Sequence, residues 1–329
     1  MLDARLALAL DGGGLALPQG RIAVFAPSSA VNLDQLPKDR TLLVLGHKPD
    51  FDHFSALGFD CAVAPGGTFA ASIVCLPRAK AQARVLIAQA LAVTQGVVVI
   101  DGQKTDGVDS LLREARKRTD VFSVLSKAHG KLFAISTDSA PSFADWADGP
   151  ALTSGGFWTA PGVFSADGVD PASALLASAL PDKLGGYVAD LGAGWGFLSA
   201  HILTRPAVKE VHLVEANHMA LECARRNVTD PRARFHWEDA TTWQAGLRFD
   251  TVVMNPPFHT GRTPEVSLGQ AFVAAAARIL SPQGQLWMVA NRHLPYETTL
   301  GTYFAKVTEL GGDARFKLLQ GARPLRARK

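Results

Sequence analysis

At 329 residues the chain is longer than one hydrophobic core usually organises, so two domains of ordinary size are expected. Its 47% hydrophobic and 19% charged residues exclude a disordered chain. Residues 1–150 carry 15 basic against 15 acidic side chains and residues 151–329 carry 18 against 15, so the net charge of +3 comes entirely from the second half.

The opening MLDARLALALDGGG has an apolar run bounded by Asp3 and Asp11. That is too short for a signal sequence or a membrane span, so a cytoplasmic protein with no membrane partner is expected. Four β-branched runs follow, RIAVFA, TLLVLG, ASIVCL and GVVVID, alternating with amphipathic helical windows. Cys61, Cys75 and Cys223 are odd in number and far apart in apolar surroundings, which reads as core thiols, with no disulfide or metal site. Residues 136–158, STDSAPSFADWADGPALTSGGFW, are aperiodic and rich in Ser, Pro, Gly and Asp. The expected division is a first domain over 1–140, a linker over 141–156 and a second domain over 157–329.

The second half repeats the rhythm with YVADLG, VHLVEA, RARFHW, DTVVMN and QLWMVA, predicting an α/β fold of parallel sheets covered by helices on both faces. The chain closes on RFKLLQGARPLRARK, in which Arg315, Lys317, Arg323, Arg326, Arg328 and Lys329 have no acidic neighbour. Such an end is either a solvated tail or an arm for phosphates.

An internal repeat links the halves. SIVCLPRAK, a helical window and TQGVVVID run in the same order as TVVMNPPFH, a helical window and SPQGQLWMVA. Aligning Pro77 with Pro256 and Gly96 with Gly284 gives spacings of 19 and 28 residues, and sets Leu76 against Asn255. On that alignment the second copy gains nine residues after its prolines.

YVADLGAGWGFLSA places a strand ending in Asp190 before Gly192, Gly194 and Gly196, with a helix to follow. Glycines at alternate positions let backbone approach a ligand where any Cβ would collide. The spacing is G-x-G-x-G, and Phe197 stands where dinucleotide loops want a third glycine, which disfavours nicotinamide cofactors. Glu215 ends the next strand, 19 residues after Gly196, where a carboxylate can accept ribose hydroxyls. One strand further, Glu238 and Asp239 are placed to meet an adenine amino group, with Ala240 next in line. In strand order these residues point to S-adenosylmethionine.

TVVMNPPFHTGR then delivers Asn255, Pro256, Pro257 and Phe258 rigidly from a buried strand, because two prolines neither continue a ladder nor start a helix. The Asn255 side-chain oxygen and the Pro256 carbonyl can accept both hydrogens of a planar amine, and Phe258 can stack on its ring. His259 and Arg262 either contact a base edge or phosphate, or face water. Asn291 and Arg292, in ANRHLPY, follow a strand at the same sheet edge.

These residues resemble the ribosomal RNA small-subunit methyltransferase C group of guanine 2-amino methyltransferases, with its large-subunit relative close behind. PGVFSADGVD, DLGAGWG, MNPPFHTGR, ANRHLPY, CLPRAK and LSKAHGKLF carry the resemblance over nearly the whole chain. It implies tandem Rossmann-like class I methyltransferase domains, the N-terminal one degenerate, and agrees that TLLVLGHKPDF offers only Gly46 against the three loop glycines. It further implies methylation of a guanine in 16S ribosomal RNA, with the small ribosomal subunit as partner. It puts Phe164 and Ser165 over the methionine part of the cofactor, and Pro257, Asn291 and Arg292 at the base pocket.

Trp195 departs from the small residues more usual in such a loop. A monomer is expected, since nothing calls for an oligomer. Other readings are methylation of 23S guanine, adenine N6 or a glutamine amide, a non-catalytic RNA-binding Rossmann tandem, and a nicotinamide oxidoreductase.

Overall fold

The computed structural model describes residues 2–12, 14–257 and 266–325. They divide into two compact units, Met1–Pro150 and Ala151–Lys329. The boundary falls inside the stretch expected as a linker over 141–156. A 3-10 helix, Thr137–Trp146, buries Phe143 and Trp146 in the core of the first unit, while Ala151–Leu152 and Trp158–Thr159 pair as a short antiparallel ribbon in the second. Composition marked the segment as irregular, but two aromatics sufficed to dock half of it.

The first unit contains the helices α1 (Leu2–Leu10), α2 (Lys48–Ala56), α3 (Lys80–Val93) and α4 (Val108–Arg116) and the strands β1 (Ile22–Phe25), β2 (Thr41–Val44), β3 (Asp60–Ala62), β4 (Phe69–Cys75), β5 (Thr94–Gln103), β6 (Phe122–Lys127) and β7 (Gly130–Ser136), in the sheet order β3-β2-β1-β4-β5-β7-β6. After the ribbon strands β8 (Ala151–Leu152) and β9 (Trp158–Thr159), the second contains β10 (Tyr187–Leu191), β11 (Glu210–Glu215), β12 (Ala233–Trp237), β13 (Phe249–Met254), β14 (Leu280–Asn291), β15 (Phe304–Gly312) and β16 (Phe316–Pro324). Their order, β12-β11-β10-β13-β14-β16-β15, is the same topology.

In each sheet five strands are parallel and the last two antiparallel, so the expectation of wholly parallel sheets is corrected. The edge strands β6 and β15 are mostly exposed and give no apolar run to read. The supposed basic tail is largely β16, an inner strand on which Lys317 is buried and bonded to Glu297.

Alternation along the central strands divides each core in two. In the second unit, Val188, Val211, Leu213 and Val253 pack with α5 (Pro171–Ala179), α6 (Phe197–Ile202) and α7 (His218–Asn227). Ala189, Leu191, Val252 and Met254 pack on the other face with α8 (Val266–Ile279) and α9 (Tyr296–Tyr303). Each large apolar side chain so buried contributes roughly 1.5–3 kcal/mol.

Register sharpens the repeat and shifts its alignment by one residue. Phe25 pairs with Val74 at the end of β1 and β4, as Leu191 pairs with Met254 at the end of β10 and β13. Cys75 therefore stands where Asn255 does, and Pro77 matches Pro257, because strand pairing rather than the first proline fixes the correspondence. The counterpart of the glycine loop is likewise the stretch from Ala26, not Gly46. Ala26 and Gly192 share positive φ values of 52° and 72°, and both N–H groups donate at 2.9 Å to the next strand, at Val44 and Val214. Val24 then replaces Asp190 and Leu45 replaces Glu215. Neither of the carboxylates at the second unit's loop, Asp190 and Glu215, has a counterpart in the first.

In this strand order the chain steps outward from β10 to β12 and returns to β13 on the other side of β10. Open α/β sheets bind ligands outside the carboxyl ends of the strands at such a reversal.

Candidate active site

The loops after β10 and β13 leave the sheet side by side at that reversal. Gly192, Ala193, Gly194 and Trp195 line an open cleft together with Phe164, Ser165, Asp170, Ser173, Phe197, Leu198 and Asn255. The structure thus brings together Phe164, Ser165, Gly192, Gly194 and Asn255 from the expected set. Glu215, Asp239 and Ala240 follow in sheet order at the ends of β11 and β12. At about 4.8 Å per strand, the row from β13 to β12 spans ~14 Å, which suits one elongated ligand.

Each loop glycine has a positive φ, and what surrounds them differs. A Cβ on Gly196 would meet Val228 Cγ2 at 2.9 Å, so this glycine serves close packing of α6 against α7. A Cβ on Gly194 would have nothing within 4 Å, so this position faces open space. The loop is held from below by Glu215, whose two carboxylate oxygens accept from the N–H groups of Gly194 at 2.8 Å and Asn217 at 2.7 Å. A carboxylate oxygen has more than one acceptor site, so these bonds orient Glu215 without using it up.

Asp190 lies under the loop. It is fully buried and does not line the cleft: Oδ2 accepts from Ser199 Oγ at 2.7 Å and Oδ1 has no partner. Burial pushes its carboxyl up to about 7. Asp239 caps its own turn, with Oδ1 accepting from Thr241 N at 2.8 Å and Thr241 Oγ1 at 2.7 Å, and Ala240 is buried beside it.

Trp195, unexpected in such a loop, is explained by its contacts. Its ring is buried against Phe157 and Phe197, and Nε1 donates to the carbonyl of Phe164 at 3.1 Å. The glycine loop and the 164–165 segment are thereby tied together. Phe164 itself is 63% exposed, and Ser165 holds a φ of 53°, a strained left-handed conformation for a serine.

Asn255 has the most directed environment. Its Nδ2 donates to Asp170 Oδ2 at 2.9 Å and to Ser173 Oγ at 2.8 Å, while its Oδ1 is buried without a partner. Asp170 also caps α5, accepting from Ser173 N at 2.8 Å ahead of Pro171 at the first helical position. Sequence reasoning missed Asp170 and Ser173. The Asp-Pro start was a readable helix signal, but a bond across 85 residues was not.

Pro256 is buried and Pro257 exposed. Phe258, His259 and Arg262 lie outside the described residues. Asn291 and Arg292 line a separate shallow cleft with His293, Ala314, Arg315 and Phe316. Arg292 is committed there to the β15–β16 turn, with its nitrogens on Asp313 O, Phe316 O and Glu309 Oε1 at 2.7–3.1 Å. Arg315 instead lies over the Phe316 ring, 5.1 Å from its centroid. Among the described residues no cluster suits a metal ion, and no helix is long and apolar enough to cross a membrane.

A glycine loop, a ribose-type carboxylate and an Asn-Pro-Pro strand exit at the sheet reversal define a class I methyltransferase domain, preceded by a degenerate copy. The model of the methyltransferase small domain matches residues 154–320. Ribosomal RNA small subunit methyltransferase C of Shewanella sp. strain MR-4 is 33% identical over 258 residues, 75% of each chain. That of Shewanella pealeana is 30% identical over 325 residues, covering 95% of this chain and 88% of its own. A solved T. thermophilus 16S rRNA N2 methyltransferase in complex with AdoMet and guanosine superposes with a TM-score of 0.78 and 26% identity, over 94% of this chain and 90% of that one. The chain belongs to the ribosomal RNA small subunit methyltransferase C family.

Proposed function

We propose that the protein transfers a methyl group from S-adenosylmethionine to the exocyclic 2-amino group of a guanine in 16S ribosomal RNA. The observation that carries this reading is the anchored Asn255 amide, whose oxygen lacks a donor beside the glycine-lined cleft. A buried acceptor left unpaired costs about 1–3 kcal/mol, which an amine hydrogen of the substrate would offset.

The residues fit the cofactor. Gly194 leaves open the space a Cβ would fill, and the unpartnered Asp190 oxygen lies under the same loop. Glu215 would hold the ribose, Asp239 and Ala240 the adenine, and Phe164 and Ser165 the methionine end. Once bound, the cofactor supplies an electrophilic methyl on a positively charged sulfur. The protein's own task is alignment.

A guanine 2-amino group is a poor nucleophile because its lone pair is delocalised into the ring. Asn255 Oδ1 and the Pro256 carbonyl accept its two hydrogens, favouring a pyramidal nitrogen with its lone pair turned toward the methyl. Phe258 stacks on a base that must leave its RNA neighbours to enter. Pro257 borders the base, His259 and Arg262 would contact its edge or a phosphate, and Asn291 and Arg292 act from their own cleft, Arg292 by fixing the β15–β16 turn. The protein works as a cytoplasmic monomer on the small ribosomal subunit or its RNA.

The test is incubation with labelled S-adenosylmethionine and separate pools of 16S RNA, 23S RNA, small subunits, DNA and protein, followed by nucleoside analysis. N2-methylguanosine from the 16S-containing pools is expected. Label in adenine, in 23S RNA or in glutamine would overturn the assignment.

The cradle makes a separate prediction. Gly194→Ala should cost about 1–2 kcal/mol of backbone strain in the left-handed region. Its methyl would occupy ligand space, lowering cofactor affinity by at least about tenfold (~1.4 kcal/mol). Calorimetry on the whole chain checks this. Residual heat at wild-type affinity would mean that the cofactor binds elsewhere.

A further inference from the structure

We propose that Asp170 and Ser173 are positioning residues for methyl transfer, fixing which end of the Asn255 amide faces the substrate. The inference rests on the reading of Asn255 as the acceptor of the amine. The oxygen and nitrogen of an amide have nearly the same shape, so packing alone does not choose between them. Chemistry does. An aspartate carboxylate only accepts hydrogen bonds, so the group 2.9 Å from Asp170 Oδ2 must be the amide nitrogen.

Ser173 Oγ, at 2.8 Å, takes the second amide hydrogen. Both donors are then spent inward, and the oxygen is left buried with no partner. Turned the other way, Asn255 would set its oxygen against a carboxylate and offer an amine two hydrogens where it needs an acceptor. The same pair of bonds polarises the amide toward its oxygen, since linked hydrogen bonds strengthen one another.

In the first unit Cys75 holds the position of Asn255. There the residue is a buried thiol with no amide to orient.

Because Asp170 also caps α5, the test must separate positioning from folding. Asp170→Ser keeps a cap oxygen for Ser173 N but is too short to reach Asn255. Asp170→Asn keeps an oxygen able to accept from both. Asp170→Ser should lower kcat by about 10- to 100-fold, the range of a lost charge-assisted hydrogen bond, while KM for RNA and cofactor Kd stay put and Tm falls only by what one stranded amide donor costs. Asp170→Asn should recover most of that loss, and Ser173→Ala should lose less than Asp170→Ser.

The decisive comparison is in an Asn255→Ala background. Asp170→Ser should cost nothing further there, because a residue acting through Asn255 has nothing left to position. A full additional loss, or an unchanged kcat in the single variant, would each overturn the proposal. Side-chain NH2 resonances of Asn255, assigned by their absence in Asn255→Ala, should shift in Asp170→Ser but hardly in Asp170→Asn. That readout needs no substrate, so a wild-type protein that fails to methylate guanine would sink the functional reading while leaving this one measurable.

Discussion

Asn255→Ala is expected to lower methyl transfer by roughly 10²–10³-fold, the usual effect of deleting one preorganised hydrogen-bonding group aimed at the reacting centre. The loss should fall on kcat. Asn255 reaches the amine, whereas the cofactor is held by the glycine loop and by carboxylates on neighbouring strands, so cofactor affinity should stay within about twofold of wild type. Single-turnover transfer with 16S RNA, alongside calorimetry with S-adenosylmethionine, separates the two. A variant with wild-type turnover would show that its side-chain oxygen does not bind the amine. A large loss of cofactor affinity would instead assign Asn255 to holding the methionine.

Much of this site was legible because its chemistry sits at strand ends. Glu215 closes its strand and Asn255 follows one, while Asp190 and Asp239 lie within two residues of a strand's last residue, and parallel strands bring such ends together whatever their spacing in the chain. The glycines were readable for the same reason, since backbone demand shows in residue type. Asp170 was not, because a helix cap and a catalytic support look alike until the fold brings the cap to Asn255. Trp195 was noticed as odd, but its use, bonding the Phe164 carbonyl, depends on a contact 31 residues away.

The repeat was visible in sequence, yet its alignment slipped by one residue. A proline was matched where pairing of β1 with β4, and of β10 with β13, sets the true register. Similarly, Lys317 and Arg315 suggested a tail, whereas Leu318 and Leu319 beside them carry the inward-facing side chains of a strand. Lys317 is itself buried against Glu297, so its charge marked neither a tail nor a surface.

A second large effect is expected in the first unit, at a buried ion pair. Arg5 is fully buried and forms a two-pronged pair with Asp101 at 2.5 and 2.8 Å, next to Cys75 in the ladder, and also donates to Lys127 O at 2.9 Å. Removing one partner of such a pair strands the other, at about 3–5 kcal/mol. The two removals should not be equal. Asp101→Leu leaves a guanidinium that cannot shed its proton, so the full cost is expected at every accessible pH.

Arg5→Leu leaves a carboxyl that can take one up. Burial already pushes Asp101 above its ordinary range, with Arg5 holding it back, so loss of Arg5 raises it further. A group whose folded pKa lies above its unfolded value contributes most below the unfolded value and loses that contribution as pH rises through the folded one. The Arg5→Leu deficit should therefore shrink between pH 7.5 and pH 5, while that of Asp101→Leu should not shrink. Only Trp146 of the six tryptophans lies in residues 1–150, so its fluorescence, read in a variant with the others replaced by Phe, follows this unit in urea. Equal, pH-independent losses in both variants would show that packing around Arg5, rather than its charge pairing, holds this corner together.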